Sequence, residues 1–165
     1  MLDIKRLFDF PYHQLKAHNL EVALVSKKNG EWVNTSTKEY LDKANALSRA
    51  LLKLGVQKND KIAVISSTNR TEWCIVDIGI LQVGAQNIPI YPTISSDDYE
   101  YVLNHSQATY CFVSDQDVLD KVLKVKTNTE LKDVYSFDQL KDCKNYSLLL
   151  EMGQDTSTQN EVEAR

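Results

Sequence analysis

Residues 21–26 alternate apolar and polar positions, and residues 32–35 form a second short run after Lys28-Asn29-Gly30-Glu31. Asn-Gly supplies the two positive φ angles of a type I′ turn, so a β-hairpin is predicted. Ahead of it, residues 4–19 read as a short helical opening, broken or restarted at Pro11, which is tolerated in a first helical turn. Behind it, Ser36-Thr37-Lys38-Glu39 has the form of a capping box. The helix it opens carries Tyr40, Ala44, Leu47, Leu51 and Leu54 on one stripe at helical period, and Gly55 ends it.

The pattern then changes. Residues 61–66 (KIAVIS) form a short β-branched strand. Asn69-Arg70-Thr71-Glu72 reads as a second N-cap, opening a helix from Arg70 to about Val83 with Gly84 closing it. That helix is apolar almost all round, so burial on more than one side is expected. Gly79 in its middle predicts a close packing contact. Residues 87–91 are a strand ending at Pro92, and Ser95 or Ser96 caps the next helix. Residues 109–113 are a strand, Asp115 opens a helix to about Lys126, residues 133–137 are a strand and residues 146–152 a last helix. Strands alternating with helices through short links predict βαβ units and a parallel sheet. The fold class expected is α/β: a parallel sheet with flanking helices, plus the N-terminal hairpin. Residues 154–165 have one aliphatic side chain beyond Ala, Val162, and read as a linker or disordered tail behind a domain of residues 1–153.

Composition narrows the classes. Hydrophobic residues make up 42% of the 165 residues, enough for a core and against whole-chain disorder. With 19 basic and 23 acidic residues the net charge is −4, which argues against nucleic acid as partner. No run is long or apolar enough to span a bilayer, and residues 1–20 lack the apolar segment of a secretion signal. Cys74, Cys111 and Cys143 are too far apart for a metal-ligand run and fit buried thiols in a reducing, cytoplasmic setting.

Local chemistry is sparse. Ser66-Ser67-Thr68-Asn69-Arg70-Thr71, between a strand and a helix start, could cradle a phosphate, and S-x-T-x-x-T-E resembles the FMN-phosphate loop of flavodoxins. Asn69 stands where such loops place Gly, and capping of backbone N–H groups accounts for the same residues. No G-x-G-x-x-G follows a strand. Asp97 and Asp98 suit the positive end of a helix better than acid–base work. His13, His18 and His105 do not cluster, and Lys121, Lys124 and Lys126 read as a solvated helix face.

One collinear series carries more. Glu31 to Gly55 (EWVNTSTKEYLDKANALSRALLKLG) is followed by Val56-Gln57-Lys58-Asn59-Asp60-Lys61-Ile62-Ala63-Val64, then Asn69-x-x-Glu72-Trp73, Leu81-Gln82-Val83-Gly84-Ala85 and Ile88-Pro89-Ile90-Tyr91-Pro92-Thr93. This order resembles the N-terminal part of the AMP-forming (adenylate-forming) acyl-CoA synthetases. Tyr91 to Ser95, Tyr101 to Ser106, Tyr135 to Asp138 and Leu148 to Gly153 are most similar to the long-chain fatty acid–CoA ligases.

The resemblance implies an acetyl-CoA synthetase-like N-terminal lobe. For the parent protein it implies ATP-dependent activation of a fatty acid through an acyl-adenylate, then thioester formation with CoA, with ATP, Mg²⁺ and CoA required. The family's Ser/Thr/Gly-rich phosphate loop, its adenylate-binding motifs and its catalytic Lys follow the region matched. The chain therefore reads as a fragment, inactive alone, with no catalytic, cofactor-binding or metal-ligating residue assigned. Its partners would be the rest of the ligase chain, with peripheral membrane contact of the parent left open. A stand-alone FMN carrier and a non-enzymatic interaction domain are the alternatives.

Overall fold

The computed structural model describes residues 4–165. A short helix, α1 (Asp9–Ala17), precedes an antiparallel hairpin, β1 (Leu24–Lys28) and β2 (Glu31–Thr35), and a long helix, α2 (Thr37–Lys53). The sheet region follows as β3 (Lys61–Ile65), α3 (Thr71–Gln82), β4 (Gln86–Ile90), α4 (Ser96–Ser106), β5 (Ala108–Val113), α5 (Gln116–Val125), β6 (Asp133–Ser136) and β7 (Lys144–Asn145). Two short helices close it, α6 (Ser147–Met152) and α7 (Gln159–Ala164).

The five strands are all parallel, in the order β4-β3-β5-β6-β7. The chain steps from β3 to β4 on one side and then crosses to β5 on the other. The order therefore reverses between β3 and β5. Alternation along β3 sends Ile62 and Val64 into one core and Ala63 and Ile65 into the other. The first core packs against Leu47, Ala50 and Leu51 of α2, Val76 and Ile80 of α3, and Leu149 of α6. The second packs against Tyr99 and Leu103 of α4 and Val118, Leu119 and Val122 of α5. Both faces of the sheet are thus covered, as parallel sheets require.

Several sequence expectations are met at the level of atoms. Asn29 (φ 53°) and Gly30 (φ 87°) take the two left-handed positions of the hairpin turn. A Cβ on Gly30 would meet nothing within 4 Å, so its requirement is conformational and not steric. Gly30→Val should therefore lower the melting temperature clearly, and Lys28→Val, on an exposed strand position, should leave it nearly unchanged. Equal melting temperatures for the two variants would contradict the turn assignment. At Gly79 a Cβ would lie 2.8 Å from Leu47 Cδ2, which explains a glycine inside a buried helix.

Other expectations need correction. Ser36 Oγ accepts the Glu39 N–H at 3.1 Å, but the Glu39 carboxylate turns outward to Lys43 at 2.6 Å, so only half of the capping box forms. The full reciprocal box is at Ser95 and Asp98 instead. Asn69 does not cap α3: the helix starts at Thr71, with Arg70 as N-cap and no side-chain cap bond. The strand β7, only two residues long, has no periodicity to read.

The expected linker at 154–165 is structured. Val162 on α7 is buried, and Arg49, itself buried on α2, donates to the Gly153 carbonyl at 2.7 Å and to Gln159 Oε1 at 2.6 Å. Lys53 adds bonds to the Met152 carbonyl at 3.0 Å and to Asp155 at 2.9 Å. A polar segment is held here by cations from a neighbouring helix and one apolar anchor, a combination that composition alone does not register.

Candidate functional site at the carboxyl ends of the strands

Open α/β sheets bind ligands outside the carboxyl ends of their strands, where the strand order reverses. In this fold that point lies between β3 and β5, and the turns that follow these strands hold the hydroxyl-rich stretch singled out above. Ser67 N–H donates to Ser114 Oγ at 3.0 Å, and Ser67 Oγ donates to the Asp115 carboxylate. Ser114 Oγ also donates to Asp115, which accepts the Val118 N–H at 3.2 Å as the N-cap of α5. Burial raises the Asp115 carboxyl, but these hydroxyl and backbone donors more than offset it and hold it below the ordinary carboxylate range.

Arg70 fastens the neighbouring turns. Its guanidinium donates to the Ser114 carbonyl at 3.2 Å, to Asp138 at 2.8 Å and to Glu72 at 3.0 Å, and it lies 5.5 Å from the centre of the Phe137 ring. Asp138 follows β6, so one side chain ties together the ends of β3, β5 and β6. Burial would raise Glu72, yet the Arg70 contact leaves its carboxyl lowered. These bonds tie the turns at the reversal point to one another. Ser66 Oγ adds to this by donating to the Thr68 carbonyl at 2.7 Å. The Ser66 and Ser67 hydroxyls thus serve the protein's own turns.

The other candidates are dispersed. Asp98 serves the capping box, with the Ser95 hydroxyl holding its carboxyl low, while Asp97 is exposed on the same turn. His13 lines an open cleft of about 800 Å³ beside α1, His18 ends α1, and His105 stacks on Tyr101 at 5.7 Å. The three cysteines are free, and burial pushes the Cys111 thiol up, away from reactivity. Among the described residues no group of three or more His, Cys, Asp or Glu could hold a metal ion. No described helix is long and apolar enough to cross a membrane.

Lys121 departs from the solvated face expected for it. Its ammonium donates to the Pro92 carbonyl at 2.8 Å and the Ile94 carbonyl at 3.2 Å, 5.8 Å from the centre of the Tyr99 ring. Tyr99 OH donates to the same Pro92 carbonyl at 3.1 Å. Both side chains hold the loop after β4, and nothing in a Lys-rich helix face distinguishes such a residue in sequence.

Comparison with known proteins agrees with this architecture. A family model described as "AMP-binding enzyme" matches residues 12–164. Fatty acyl-CoA synthetase A of Dictyostelium discoideum is 30% identical over 152 residues, covering 84% of this chain and 22% of that protein. Long-chain-fatty-acid–CoA ligase ACSBG2 of Xenopus laevis is 29% identical over 147 residues, covering 85% of this chain and 20% of that protein. Among solved structures, the anthranilate CoA ligase AuaEII superposes with a TM-score of 0.75 at 17% identity, over 92% of this chain and 28% of that one. The N-terminal domain of FACL13 from Mycobacterium tuberculosis superposes at 0.74 and 15% identity, over 90% of this chain and 36% of that one. The present chain spans about a fifth of the length of the two curated relatives. Hairpin, doubly covered parallel sheet and a family match over nearly the whole sequence lead to one assignment: the chain belongs to the AMP-binding enzyme family.

Proposed function

We propose that this chain is the N-terminal scaffold lobe of a long-chain fatty acid–CoA ligase. The observation that carries the reading is the similarity to long-chain-fatty-acid–CoA ligase ACSBG2 of Xenopus laevis, 29% identical over 85% of this chain, and to fatty acyl-CoA synthetase A of Dictyostelium discoideum, 30% identical over 84% of it. The parent reaction joins a fatty acid carboxylate to the α-phosphate of ATP, releases pyrophosphate and passes the acyl group to the CoA thiol, which displaces AMP. ATP and CoA are its co-substrates, and Mg²⁺ would stabilise charge on the phosphates.

The lobe's own residues supply rigidity. Ser67, Ser114, Asp115 and Arg70 lock the turns at the strand ends to one another, so the rim on which the rest of the ligase builds is fixed before substrate arrives. In this reading the Mg²⁺ ligands lie in the remainder of the ligase, which is compatible with the lack of a group of three or more His, Cys, Asp or Glu among the described residues. A reducing, cytoplasmic setting is part of the proposal and is compatible with three free thiols.

A chimera tests it. Residues 12–164 are exchanged for the matching segment of the Dictyostelium fatty acyl-CoA synthetase A, and folding is checked by cooperative melting. The expected result is palmitate-dependent pyrophosphate exchange. A chimera that melts cooperatively but shows no exchange, beside an active parent enzyme, would contradict the scaffold assignment.

A further inference from the structure

The hairpin stands apart from the parallel sheet. β1 and β2 pair only with each other among the described residues, and a two-stranded sheet buries little by itself. β1 is the strand tied to the rest of the molecule: Ser26 Oγ accepts a hydrogen bond from Thr71 Oγ1 of α3 at 3.2 Å. β2 is the outer strand, exposed from Glu31 through Asn34. Asn29-Gly30 closes the turn between Lys28 and Glu31, so the hydrogen-bonded pairs are Lys28 with Glu31, Ser26 with Val33 and Leu24 with Thr35. Alternation then turns the backbone N–H and C=O of Trp32 and Asn34 outward, away from β1. Their side chains share the face opposite α3 with Val25 and Lys27. Trp32 is 72% exposed there, with the Lys27 ammonium 5.8 Å from its ring centre. A bare aromatic ring beside unpaired backbone groups is a template for a further strand.

The two edges of the hairpin are guarded differently. β1 carries Lys27 and Lys28, and lysine on an edge opposes strand pairing. β2, Glu-Trp-Val-Asn-Thr, has one charge, Glu31, at its first position. Its sequence is also complementary to itself. Laid antiparallel about Val33, one β2 sets Trp32 opposite the other copy's Asn34 and Glu31 opposite its Thr35, so no like charges meet. The outward groups of Trp32 and Asn34 then bond across the seam, and the Trp32 rings of both copies lie diagonally on one face, within reach of each other. The same operation on β1 would set Val25 against Lys27 and Leu24 against Lys28, crowding the lysines of both copies.

We propose that β2 pairs with β2 of a second copy of this chain across a two-fold axis, joining the two hairpins into one antiparallel sheet in the order β1-β2-β2-β1. The backbone bonds at Trp32 and Asn34 fix the register, and burial of the Trp32 rings supplies most of the affinity. The seam is one short strand long, so the association is weak and depends on concentration. The proposal stands independently of the ligase reading.

Sedimentation equilibrium of the chain over a wide concentration range tests it. A monomer–dimer equilibrium with a dissociation constant on the order of 100 µM is expected. Trp32→Lys puts a charge on the seam, and Asn34→Pro removes an outward N–H at an edge position of the kind that tolerates proline. Each should weaken pairing about tenfold or more. Trp32 and Asn34 are exposed, so Trp32→Lys in particular should keep the melting temperature. Lys27→Gln, on β1, should leave the pairing unchanged. A chain that stays monomeric up to about 1 mM would overturn the proposal. So would a dimer that Trp32→Lys leaves intact, or one that Lys27→Gln strengthens, which would move the seam to β1. Pairing present in the chain but absent from the chimera of residues 12–164 with the Dictyostelium synthetase would give the β2 edge to a strand of the remaining ligase and overturn it too.

Discussion

Gly153→Ala is expected to lower stability by about 3 kcal/mol, or roughly 6–12 °C in melting temperature for a chain of this size. An added Cβ would lie 1.8 Å from the Ala46 carbonyl oxygen and 2.5 Å from its carbon. Both are main-chain atoms in the middle of α2, so no rotamer change relieves the overlap. The backbone of residue 153 must withdraw. Arg49 then loses the carbonyl it holds at 2.7 Å, and a buried guanidinium is left short of an acceptor. Val162 leaves its site with the rest of the segment. Amide exchange should show protection lost across residues 154–165 and retained in β3 and β5.

The matched control is Gly55→Ala. Gly55 has φ 82°, but its Cβ would meet nothing within 4 Å. It should cost about 1 kcal/mol, the ordinary penalty of a left-handed alanine, and leave the C-terminal segment protected. Indistinguishable melting temperatures for the two variants would mean that Gly153 is not pressed against α2.

Much of the fold is legible in the residues because local and tertiary demands agree there. Asn29-Gly30 can close only a tight turn of that hand, and the stripe through Ala44, Leu47 and Leu51 has one face to bury. KIAVIS reads as a short β-branched strand, and β3 is one, buried along Ile62 to Ile65. Reading fails where a partner distant in sequence decides. Glu39 has the right spacing for Ser36 but finds Lys43, and Asn69 has the right chemistry for a cap but the chain turns helical two residues later. Segment 154–165 looks soluble and is held by Arg49 and Lys53, more than a hundred positions away in the case of Gln159 and Asp155.

The strand-end turns show the same divide. Their hydroxyls and Arg70 are visible in sequence as possible anion binders. That Asp115, Asp138 and Glu72 absorb them follows only from the parallel register that brings the ends of β3, β5 and β6 together. The family resemblance, resting on spacing across the whole chain, survives these local errors because no single motif carries it.

The central claim is that this lobe is scaffold and not nucleotide site. Adenylation needs the α-phosphate held in line with the carboxylate, with donors and a metal stabilising charge as pyrophosphate leaves. The five glycines stand at 30, 55, 79, 84 and 153, too dispersed to form a phosphate-cradling loop, and the hydroxyls at Ser66 and Ser67 are engaged within the protein. Calorimetric titration of the 165-residue chain with ATP–Mg²⁺, run beside a labelled pyrophosphate-exchange assay with palmitate, measures this directly. The account predicts no saturable heat and no exchange above background. Micromolar ATP binding, or exchange that Ser67→Ala/Thr68→Ala abolishes, would contradict it and make the turn after β3 the nucleotide site.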